Sequence, residues 1–294
     1  MKKNIIIITG GSGFVGSNLI ELLSKKTNFN LISIDNYSSG FKKNHIKNKK
    51  IKYINCHTKN IHKKLSKYKH KIHSLFHFGE FARIYQSFLH YNQCIESNFI
   101  GTQEVIRFCL ENKIKLIYSA TSASLGNSGK DKDLSPYSFT KSRNLELLNN
   151  LKKWFNFKFE IIYFYNVYGP KQISTGKMAT VIGIFENCFK KKIALPVVKP
   201  GTQSRRFTHI KDTVEICYLA WKKNLCRHYA ISNKQSYSIL QIAQIFGTKI
   251  KFLPKRKGER YASKLTRMNL SNKIYRYYGK ISIKDYLDSF KKNN

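Results

Sequence analysis

The sequence lacks any apolar run long enough to span a bilayer, which takes about 20 residues. The longest early run, residues 5–8, has the length of a buried strand. Residues 1–5 superficially resemble the start of a signal peptide, but they run directly into a glycine-rich segment without a cleavage-type sequence. We therefore expect a cytoplasmic protein with no membrane segment.

Cysteine pairs and metal-ligand clusters are also missing. None of the six cysteines forms a C-x-x-C pair, and no histidine cluster has metal-ligand spacing. Several cysteines lie among apolar neighbours, so we expect reduced, buried, structural thiols and no metal site. The cysteines are Cys56, Cys94, Cys109, Cys188, Cys217 and Cys226.

Acidic residues are scarce: 16 Asp and Glu face 54 Lys and Arg, which gives a net charge of +38. Such a balance is typical of proteins that bind nucleic acid or anionic membranes. Here the lysines are spread along the whole chain rather than gathered in one tail or stripe, which argues against a nucleic-acid partner. A solvated basic surface, or a field that attracts anionic ligands, explains the charge better.

The first half of the chain alternates apolar strand segments with helical patterns, which is typical of a parallel sheet. With 294 residues, 41% of them hydrophobic, the chain can bury a sizeable core. We predict strands at residues 4–9, 31–35, 51–55, 71–78, 115–119 and 159–164, and helices at residues 14–26, 91–111 and from 137 toward 154. The fold class is therefore α/β, with a doubly wound parallel sheet.

After Asn166, proline and glycine break the pattern into shorter elements. We predict a main domain over residues 1–165 and a smaller, mostly substrate-binding lobe over residues 166–294. About residues 205–232 are expected to return to the main sheet. A cleft would then lie between the sheet and the lobe, beyond the carboxyl ends of the strands.

A glycine triplet follows the first strand and opens a helix, as in dinucleotide-binding loops. Gly10 permits the tight turn, Gly13 lets the backbone approach a pyrophosphate, and Gly16 lets the helix pack closely on the sheet. The helix N-terminus presents free N–H groups to the anion. Asp35 ends the second strand, where a carboxylate accepts bonds from ribose hydroxyls and repels a 2′-phosphate. The pattern therefore favours NAD over NADP; the alternative for Asp35 is a cap or turn residue.

A Y-x-x-x-K pair, Tyr137 and Lys141, follows Pro136, which marks a helix start. Residues four apart share a helix face, so the Lys141 ammonium is expected near the Tyr137 hydroxyl, where it favours the phenolate. Residues 119–126, at the end of the fifth strand, are rich in Ser and Thr. One of these hydroxyls could bind the substrate oxygen that Tyr137 deprotonates; the alternative is a polar loop without chemistry.

Together these motifs resemble the extended short-chain dehydrogenase/reductase family, in its NAD-dependent nucleotide-sugar epimerase/dehydratase branch, which includes UDP-glucose 4-epimerases. The resemblance covers nearly the whole chain. The matching segments are T-G-G-x-G-F-x-G at 9–16, D-N at 35–36, L-F-H-F-G at 75–79, N-x-x-G-T at 98–102, P-Y-x-x-x-K at 136–141, N-V-Y-G-P at 166–170, an Arg-to-Asp segment at 201–212 and R-x-G-E at 256–259.

The resemblance implies specific site residues. The catalytic set is Thr121, Tyr137 and Lys141, with Ser122 as the alternative to Thr121. The cofactor-binding residues are Gly10, Gly13, Phe14, Val15, Gly16, Asp35, Asn36, Phe78, Gly79, Asn98, Ser119, Tyr137, Lys141 and Tyr165. The substrate-binding residues are Thr121, Ser122, Asn166, Arg205, Arg256 and Glu259.

Some positions depart from the family pattern. His57 stands where the family often has an Asp that contacts adenine, and we interpret it as a solvated or packed histidine. Leu125 replaces the family's usual Tyr. Glu80 and Arg83 are charged, unlike many members; they could touch the cofactor or the sugar, or pair with each other.

The resemblance implies oxidation at sugar C4 as the first step. The family's 4,6-dehydratases carry an acidic residue after the catalytic Thr, whereas Ser122 and Ala123 follow Thr121 here. We therefore predict a 4-epimerase that returns the hydride to the opposite face, with a UDP-hexose as substrate. A dehydratase or reductase is the alternative within the family; a non-catalytic NAD-binding regulator or a basic nucleic-acid binder belongs to another class.

The resemblance also implies a homodimer formed by the helix before the fifth strand and the helix that carries Tyr137. Apolar positions in the first of these helices need not all face the core, although a purely internal role is the simpler interpretation. They include Ile95, Phe99, Val105 and Ile106.

Overall fold

The central strands of the first half, at residues 5–9, 72–77 and 115–121, are mostly apolar and buried on both faces, as is typical of parallel strands. The computed structural model describes residues 3–258 and 274–294, and only the backbone of 125–130. The strands are β1 Ile5–Thr9, β2 Asn30–Asp35, β3 Ile51–Asn55, β4 Ile72–His77, β5 Lys115–Thr121, β6 Phe159–Phe164, β7 Val167–Tyr168, β8 Leu195–Val198, β9 Ser204–Arg206, β10 Thr208–His209, β11 His228–Ser232, β12 Ser236–Ser238, β13 Ile250–Leu253 and β14 Ile274–Tyr278.

Helices connect most of these strands. The helices are α1 Phe14–Lys26, α2 Ile61–Leu65, α3 Ile84–Leu89, α4 Tyr91–Ile95, α5 Gly101–Glu111, α6 Pro136–Phe155, α7 Val181–Lys190, α8 Ile210–Lys223, α9 Ile239–Phe246 and α10 Ile283–Lys292. A π-helical turn, Glu96–Ile100, joins α4 to α5, so the helical segment predicted at 91–111 is continuous. In the described part of the chain, no helix is long and apolar enough to cross a bilayer.

Eight strands form the main sheet in the order β14-β11-β6-β5-β4-β1-β2-β3, and every pairing is parallel. This is the predicted doubly wound α/β class. The strand order reverses between β1 and β4, and ligands of such sheets bind beyond the carboxyl ends of the strands at this switch point.

Alternate residues of each strand face opposite layers. Ile5 and Ile7 of β1 pack with the layer that contains α2, α5 and α6, whereas Ile6 and Ile8 pack with α1 and α8. Predicted and observed strand ends in the first half agree within two residues. The largest shift is at β5, which continues to Thr121 because Thr121 still pairs with Phe164 of β6.

The later part of the chain is divided between the sheet and a lobe. Two of its strands, β11 and β14, extend the main sheet, and β14 was not predicted from the sequence. The lobe has its own core, formed by α7, α9, α10 and β8 around Phe185, Phe246 and Leu287. Asp212 accepts backbone N–H bonds from Lys280 and Ile281, which ties the last segment to α8.

Candidate active site

The glycine-rich loop lies between β1 and α1, at the switch point of the sheet. Gly10 has a φ of +67°, and a Cβ there would come within 2.8 Å of the backbone of Phe78 and Gly79, after β4. A Cβ at Gly16 would meet the Gly10 carbonyl at 2.1 Å. A Cβ at Gly13 would meet only that carbonyl, at 3.2 Å, so this side of the loop is open.

The N-terminus of α1 has no side-chain cap. The first backbone N–H groups of a helix have no partner within the helix, and here Phe14 and Val15 carry them. An uncapped helix end beside an open glycine cradle fits a pyrophosphate. These residues therefore suit a dinucleotide such as NAD.

Asp35 lies beside this loop, at the carboxyl end of β2. Its carboxylate accepts N–H bonds from Ser12 at 2.9 Å and from Tyr37 at 2.8 Å. Burial raises the pKa of Asp35, and the two backbone bonds oppose that shift. Asn36 is exposed, and its side-chain oxygen accepts a bond from Ser38 N–H at 3.1 Å. The turn after β2 thus holds a carboxylate within reach of the loop.

Tyr137 and Thr121 meet at the carboxyl end of β5. Ser135 caps α6 by accepting a bond from Ser138 N–H, which places Tyr137 in the first turn of that helix. The Thr121 hydroxyl lies close enough to the Tyr137 phenol to lower the pKa of that phenol. Burial raises the pKa of Tyr137 to about 12, against the lowering effects of Thr121 and Arg83. Tyr137 is therefore a neutral phenol here, poised beside a second hydroxyl.

Lys141 follows one turn later on α6, but its ammonium is not directed at Tyr137 as the spacing alone predicted. It donates instead to the Glu80 carboxylate and to the Ser119 carbonyl, and it lies 4.4 Å from the centre of the Tyr118 ring. The side chains of Lys141 and Glu80 are 5% and 3% exposed. Burial favours the neutral amine, and the carboxylate opposes this by holding the charge on Lys141.

Glu80 and Arg83 do not pair with each other, contrary to one of the two interpretations of the sequence. Glu80 pairs with Lys141, whereas the Arg83 guanidinium donates to the carbonyls of Ala82, Met178 and Ala179. Arg83 therefore fastens the segment before α7 close to Tyr137, which packs against the cluster that contains Met178.

Asn98 is fully buried, and its side chain is used within the protein. Its amide oxygen accepts a bond from Phe81 N–H at 2.6 Å, and its amide nitrogen donates to the Phe81 carbonyl at 2.9 Å. These bonds fix the segment after β4, and direct contact between Asn98 and the cofactor stays a prediction.

Other predicted cofactor residues lie around this segment. Phe78 and Gly79 follow β4, and the Phe78 ring packs 5.7 Å from the ring of Phe164. The Ser119 hydroxyl donates to the His77 carbonyl at 3.0 Å. Tyr165 is buried directly after β6. The carboxyl ends of β4, β5 and β6 thus bring these residues to one edge of the sheet.

The predicted substrate residues are spread over the lobe side. Asn166 is exposed and donates to the Arg206 carbonyl at 3.0 Å. Arg205 lies on β9, and Arg256 is exposed with its guanidinium 5.3 Å from the ring of Tyr85 on α3. Ser122 is half-buried directly after Thr121. The lobe segment of Arg256 therefore lies against the main domain.

The remaining positions singled out in the sequence are Glu259, Leu125 and His57. Glu259 lies outside the described residues, and the side chain of Leu125 is likewise outside the described part. His57 accepts a bond from Lys59 N–H at 3.1 Å and so caps a short 3₁₀ turn. This agrees with its interpretation as a packed histidine.

Sequence reasoning missed a buried polar chain behind Lys141. The Thr102 hydroxyl donates to Glu80 at 3.1 Å and contacts His77 Nε2 at 2.9 Å, and His77 Nδ1 lies 2.7 Å from the Thr9 hydroxyl. Burial lowers the pKa of His77 to about 4, so this imidazole is neutral. Two residues of this polar chain, Thr9 and Thr102, lie within recognised sequence motifs. Their connection was missed because each motif was interpreted separately.

Comparisons with known proteins identify the family and the relatives of this chain. Residues 6–232 match the NAD dependent epimerase/dehydratase family. An ADP-L-glycero-D-manno-heptose-6-epimerase of Brachyspira hyodysenteriae is 27% identical over 226 residues, which cover 72% of this chain and 70% of that protein.

Two solved structures share the fold. A dTDP-glucose 4,6-dehydratase of Streptomyces venezuelae, solved with NAD, has a TM-score of 0.84 at 17% identity, covering 98% of this chain and 96% of that one. A UDP-glucuronic acid 4-epimerase of Bacillus cereus, also solved with NAD, has a TM-score of 0.81 at 24% identity, covering 99% of this chain and 100% of that one. This chain belongs to the NAD-dependent epimerase/dehydratase family, and its cofactor is NAD.

Proposed function

We propose that the protein is a nucleotide-sugar 4-epimerase that acts on a UDP-hexose by transient oxidation at C4. The observation that carries the proposal is the placement of Tyr137, in the first turn of α6, beside Thr121 at the carboxyl end of β5, one helical turn from the buried Lys141. Two hydroxyls held together at this edge suit the removal of a proton from a sugar hydroxyl.

Each of these residues has a distinct role in the proposal. Thr121 orients the sugar hydroxyl, and Tyr137 accepts its proton and later returns it. Lys141 holds the cofactor ribose, while Thr121 and the charge of Arg83 lower the Tyr137 pKa that burial raises. NAD, when bound, supplies the acceptor for the hydride from C4 and gives the hydride back.

The residues after Thr121 favour epimerisation over elimination. A dehydratase needs a further acid or base to move protons at neighbouring carbons, and Ser122 and Ala123 offer no carboxylate. Glu80 is the carboxylate nearby, but it is bonded to Lys141, Tyr118 and Thr102 and is almost fully buried. It has no free face for a substrate.

The heptose 6-epimerase relative supports a second candidate, epimerisation of a nucleotide sugar at another carbon. The two solved relatives include an epimerase and a dehydratase at similar TM-scores, so the fold does not distinguish these reactions. A dehydratase, a reductase and a non-catalytic NAD-binding regulator therefore remain outcomes of the test below.

The test is incubation of the purified protein and NAD with UDP-, dTDP- and ADP-linked sugars, the ADP-heptose included, followed by chromatographic separation of the products. We expect a C4-epimer of a UDP-hexose. Tyr137→Phe should lower its rate by about 10³-fold, because it removes the acid/base group. The matched control is Tyr68→Phe, whose hydroxyl accepts a bond from Lys52 at the opposite end of the sheet.

Other results would contradict the proposal. A 4-keto-6-deoxy product would indicate a dehydratase, and a 6-epimer of the heptose would indicate the second candidate. NAD binding without turnover of any sugar would favour the regulator.

We further propose that the enzyme is a cytoplasmic homodimer. In the described part of the chain all six cysteines are unpaired and five are buried, and such thiols persist in a reducing compartment. Val105 and Ile106 lie in the core, whereas Phe99 and Phe139 are exposed on the helical segment after β4 and on α6. An exposed apolar face of this kind suits a second copy of the chain.

A further inference from the structure

The Glu80 carboxylate accepts hydrogen bonds from three sides. Lys141 binds one oxygen, while the Tyr118 hydroxyl, at 2.9 Å, and the Thr102 hydroxyl, at 3.1 Å, bind the other. Both partners of the ion pair are almost fully buried. A buried ion pair is tolerated when further hydrogen bonds satisfy its charges, and removal of one partner leaves an uncompensated charge.

The hydrogen-bond directions in the chain behind Glu80 follow from elementary chemistry. An ionised carboxylate only accepts, so Thr102 donates to Glu80 and itself accepts from His77 Nε2–H. His77 Nδ1 must then accept from the Thr9 hydroxyl. A single protonation pattern, with a neutral His77, satisfies the bonds that join Thr9, His77, Thr102 and Glu80.

Thr9 connects this chain to both cofactor loops. It is the last residue of β1, directly before the glycine loop, and its hydroxyl oxygen accepts N–H bonds from Phe78 and Gly79, both at 3.1 Å. Hydrogen bonds therefore run without a break from the start of the glycine loop to the ammonium of Lys141.

We propose that Glu80 is a positioning residue that keeps Lys141 charged and aimed at the cofactor ribose. Glu80 fills this role because its own position is fixed by Tyr118 and by the chain through Thr102. The inference rests on NAD binding by Lys141 and is independent of which sugar the enzyme converts. Glu80 itself has no exposed face with which to touch NAD.

The titratable groups around the pair come from several elements. His77 on β4 and Tyr118 on β5 flank it, and Arg83, Cys94 and Tyr137 complete the surroundings. Burial lowers the pKa of His77 to about 4 and raises those of Cys94 to about 11 and Tyr137 to about 12. Burial also raises the pKa of Tyr118 and lowers that of Arg83.

Glu80→Gln removes the negative charge that raises the pKa of Lys141. Burial lowers the pKa of Lys141 and Glu80 raises it, so the variant should deprotonate at lower pH. NAD affinity falls as pH rises through the pKa of Lys141, because the neutral amine binds the ribose less well. In Glu80→Gln this fall should move to lower pH by on the order of one unit or more.

The measurement is NAD affinity by calorimetry from pH 6 to 10, in a Tyr137→Phe background so that Tyr137 does not titrate. At pH 8 we expect Glu80→Gln to bind NAD about tenfold more weakly. The matched control is Glu160→Gln, which alters a second buried Glu–Lys pair, with Lys115, at the amino ends of β5 and β6. That variant should bind NAD as the parent does.

Two further variants separate charge from position. Glu80→Asp keeps the charge, but its shorter side chain cannot reach Lys141, Tyr118 and Thr102 at once. We therefore expect weaker NAD binding, with no change in the pH at which NAD affinity falls. In a Lys141→Met background, Glu80→Gln should have no further effect on NAD affinity.

Three results would overturn the inference. The first is a folded Glu80→Gln protein with the parent's NAD affinity at every pH. The second is a Glu80→Asp protein that binds NAD as tightly as the parent. This result would overturn the inference even if the Glu80→Gln protein did not fold. The third is an effect of Glu80→Gln that persists in the Lys141→Met background. Failure to find a sugar substrate leaves this test intact, because no sugar is used.

Discussion

The hydroxyl of Tyr137 is held protonated by its surroundings, so its reactivity depends on the groups that touch it. Burial and the nearby charge of Glu80 raise its pKa, while the Thr121 hydroxyl lowers it. Thr121 also accepts a bond from Ala123 N–H at 3.2 Å, which fixes its rotamer at the end of β5. The hydroxyl of Thr121 is thus oriented before any ligand arrives.

Substitution of Thr121 should therefore affect the chemical step more than binding. Thr121→Val removes the hydroxyl but keeps the branched shape, and we expect kcat to fall about 10²-fold. Thr121→Ser keeps the hydroxyl and should retain most of the activity. Steady-state kinetics on the sugar found in the panel, with NAD affinity as a control, test this. Wild-type kcat in the valine variant would show that Thr121 does not assist Tyr137.

Sequence motifs identified candidate residues of the site. They did not identify interactions between residues that are distant in the chain. Tyr137 and Thr121 were placed by motif spacing. From the sequence, Glu80 was considered as a partner of Arg83 because the two residues are close in the chain. In the structure its partner is Lys141, 61 positions away. That pairing exists only because β4 and α6 pack around β5, which local patterns do not reveal.

At the scale of elements, the glycine loop combines two separate requirements. Gly16 is needed for packing, since a Cβ there would meet the Gly10 carbonyl at 2.1 Å. Gly13 leaves room on the open side, where a Cβ would meet the protein at no less than 3.2 Å. Gly16 is thus needed for the fold, whereas Gly13 is proposed to make room for the ligand.

Alanine substitutions should separate these requirements. Gly16→Ala should lower the free energy of unfolding by about 1–3 kcal/mol, because backbone atoms must move. Gly13→Ala should change it by less than about 1 kcal/mol but weaken NAD binding at least tenfold, because the methyl group occupies the approach of the pyrophosphate. Denaturant unfolding and NAD titration of both variants give the comparison. Tight NAD binding by Gly13→Ala would contradict the assigned roles.

Elements of the first half were predictable because strands buried on both faces are continuous apolar runs with clear ends. The last strand was missed for the opposite reason. β14, Ile274–Tyr278, holds one isoleucine, one arginine and three tyrosines at the edge of the sheet, and none of them is fully buried. Its place beside β11 depends on packing with Tyr229, whose ring stacks 5.7 Å from that of Tyr275.

At the scale of the whole molecule, the excess of basic residues leaves most lysines without an acidic partner, since 54 Lys and Arg share 16 carboxylates. Two of those carboxylates, Glu80 and Glu160, form buried pairs with lysine. The remaining positive field favours anionic ligands such as NAD. The charge therefore agrees with a nucleotide-binding enzyme without requiring a nucleic-acid partner.

The exposed apolar face on the helices predicts the state of assembly. Phe99 and Phe139 are 41% and 42% exposed and line one groove with Gln103, Arg143 and Leu147. Two copies related by a twofold axis would bury this groove against itself. We expect a dimer at micromolar concentration, measured by analytical ultracentrifugation, and a monomer for Phe99→Glu, because a buried unpaired carboxylate opposes association.

The control for this prediction is Trp154→Glu, which alters a residue that is 62% exposed at the far end of α6, outside the groove. It should leave the dimer intact, and both variants should keep NAD binding, because the site is built within one chain. A monomeric parent protein would refute the dimer. A dimer that Trp154→Glu dissociates and Phe99→Glu does not would move the interface to the end of α6, and the groove would then need another occupant.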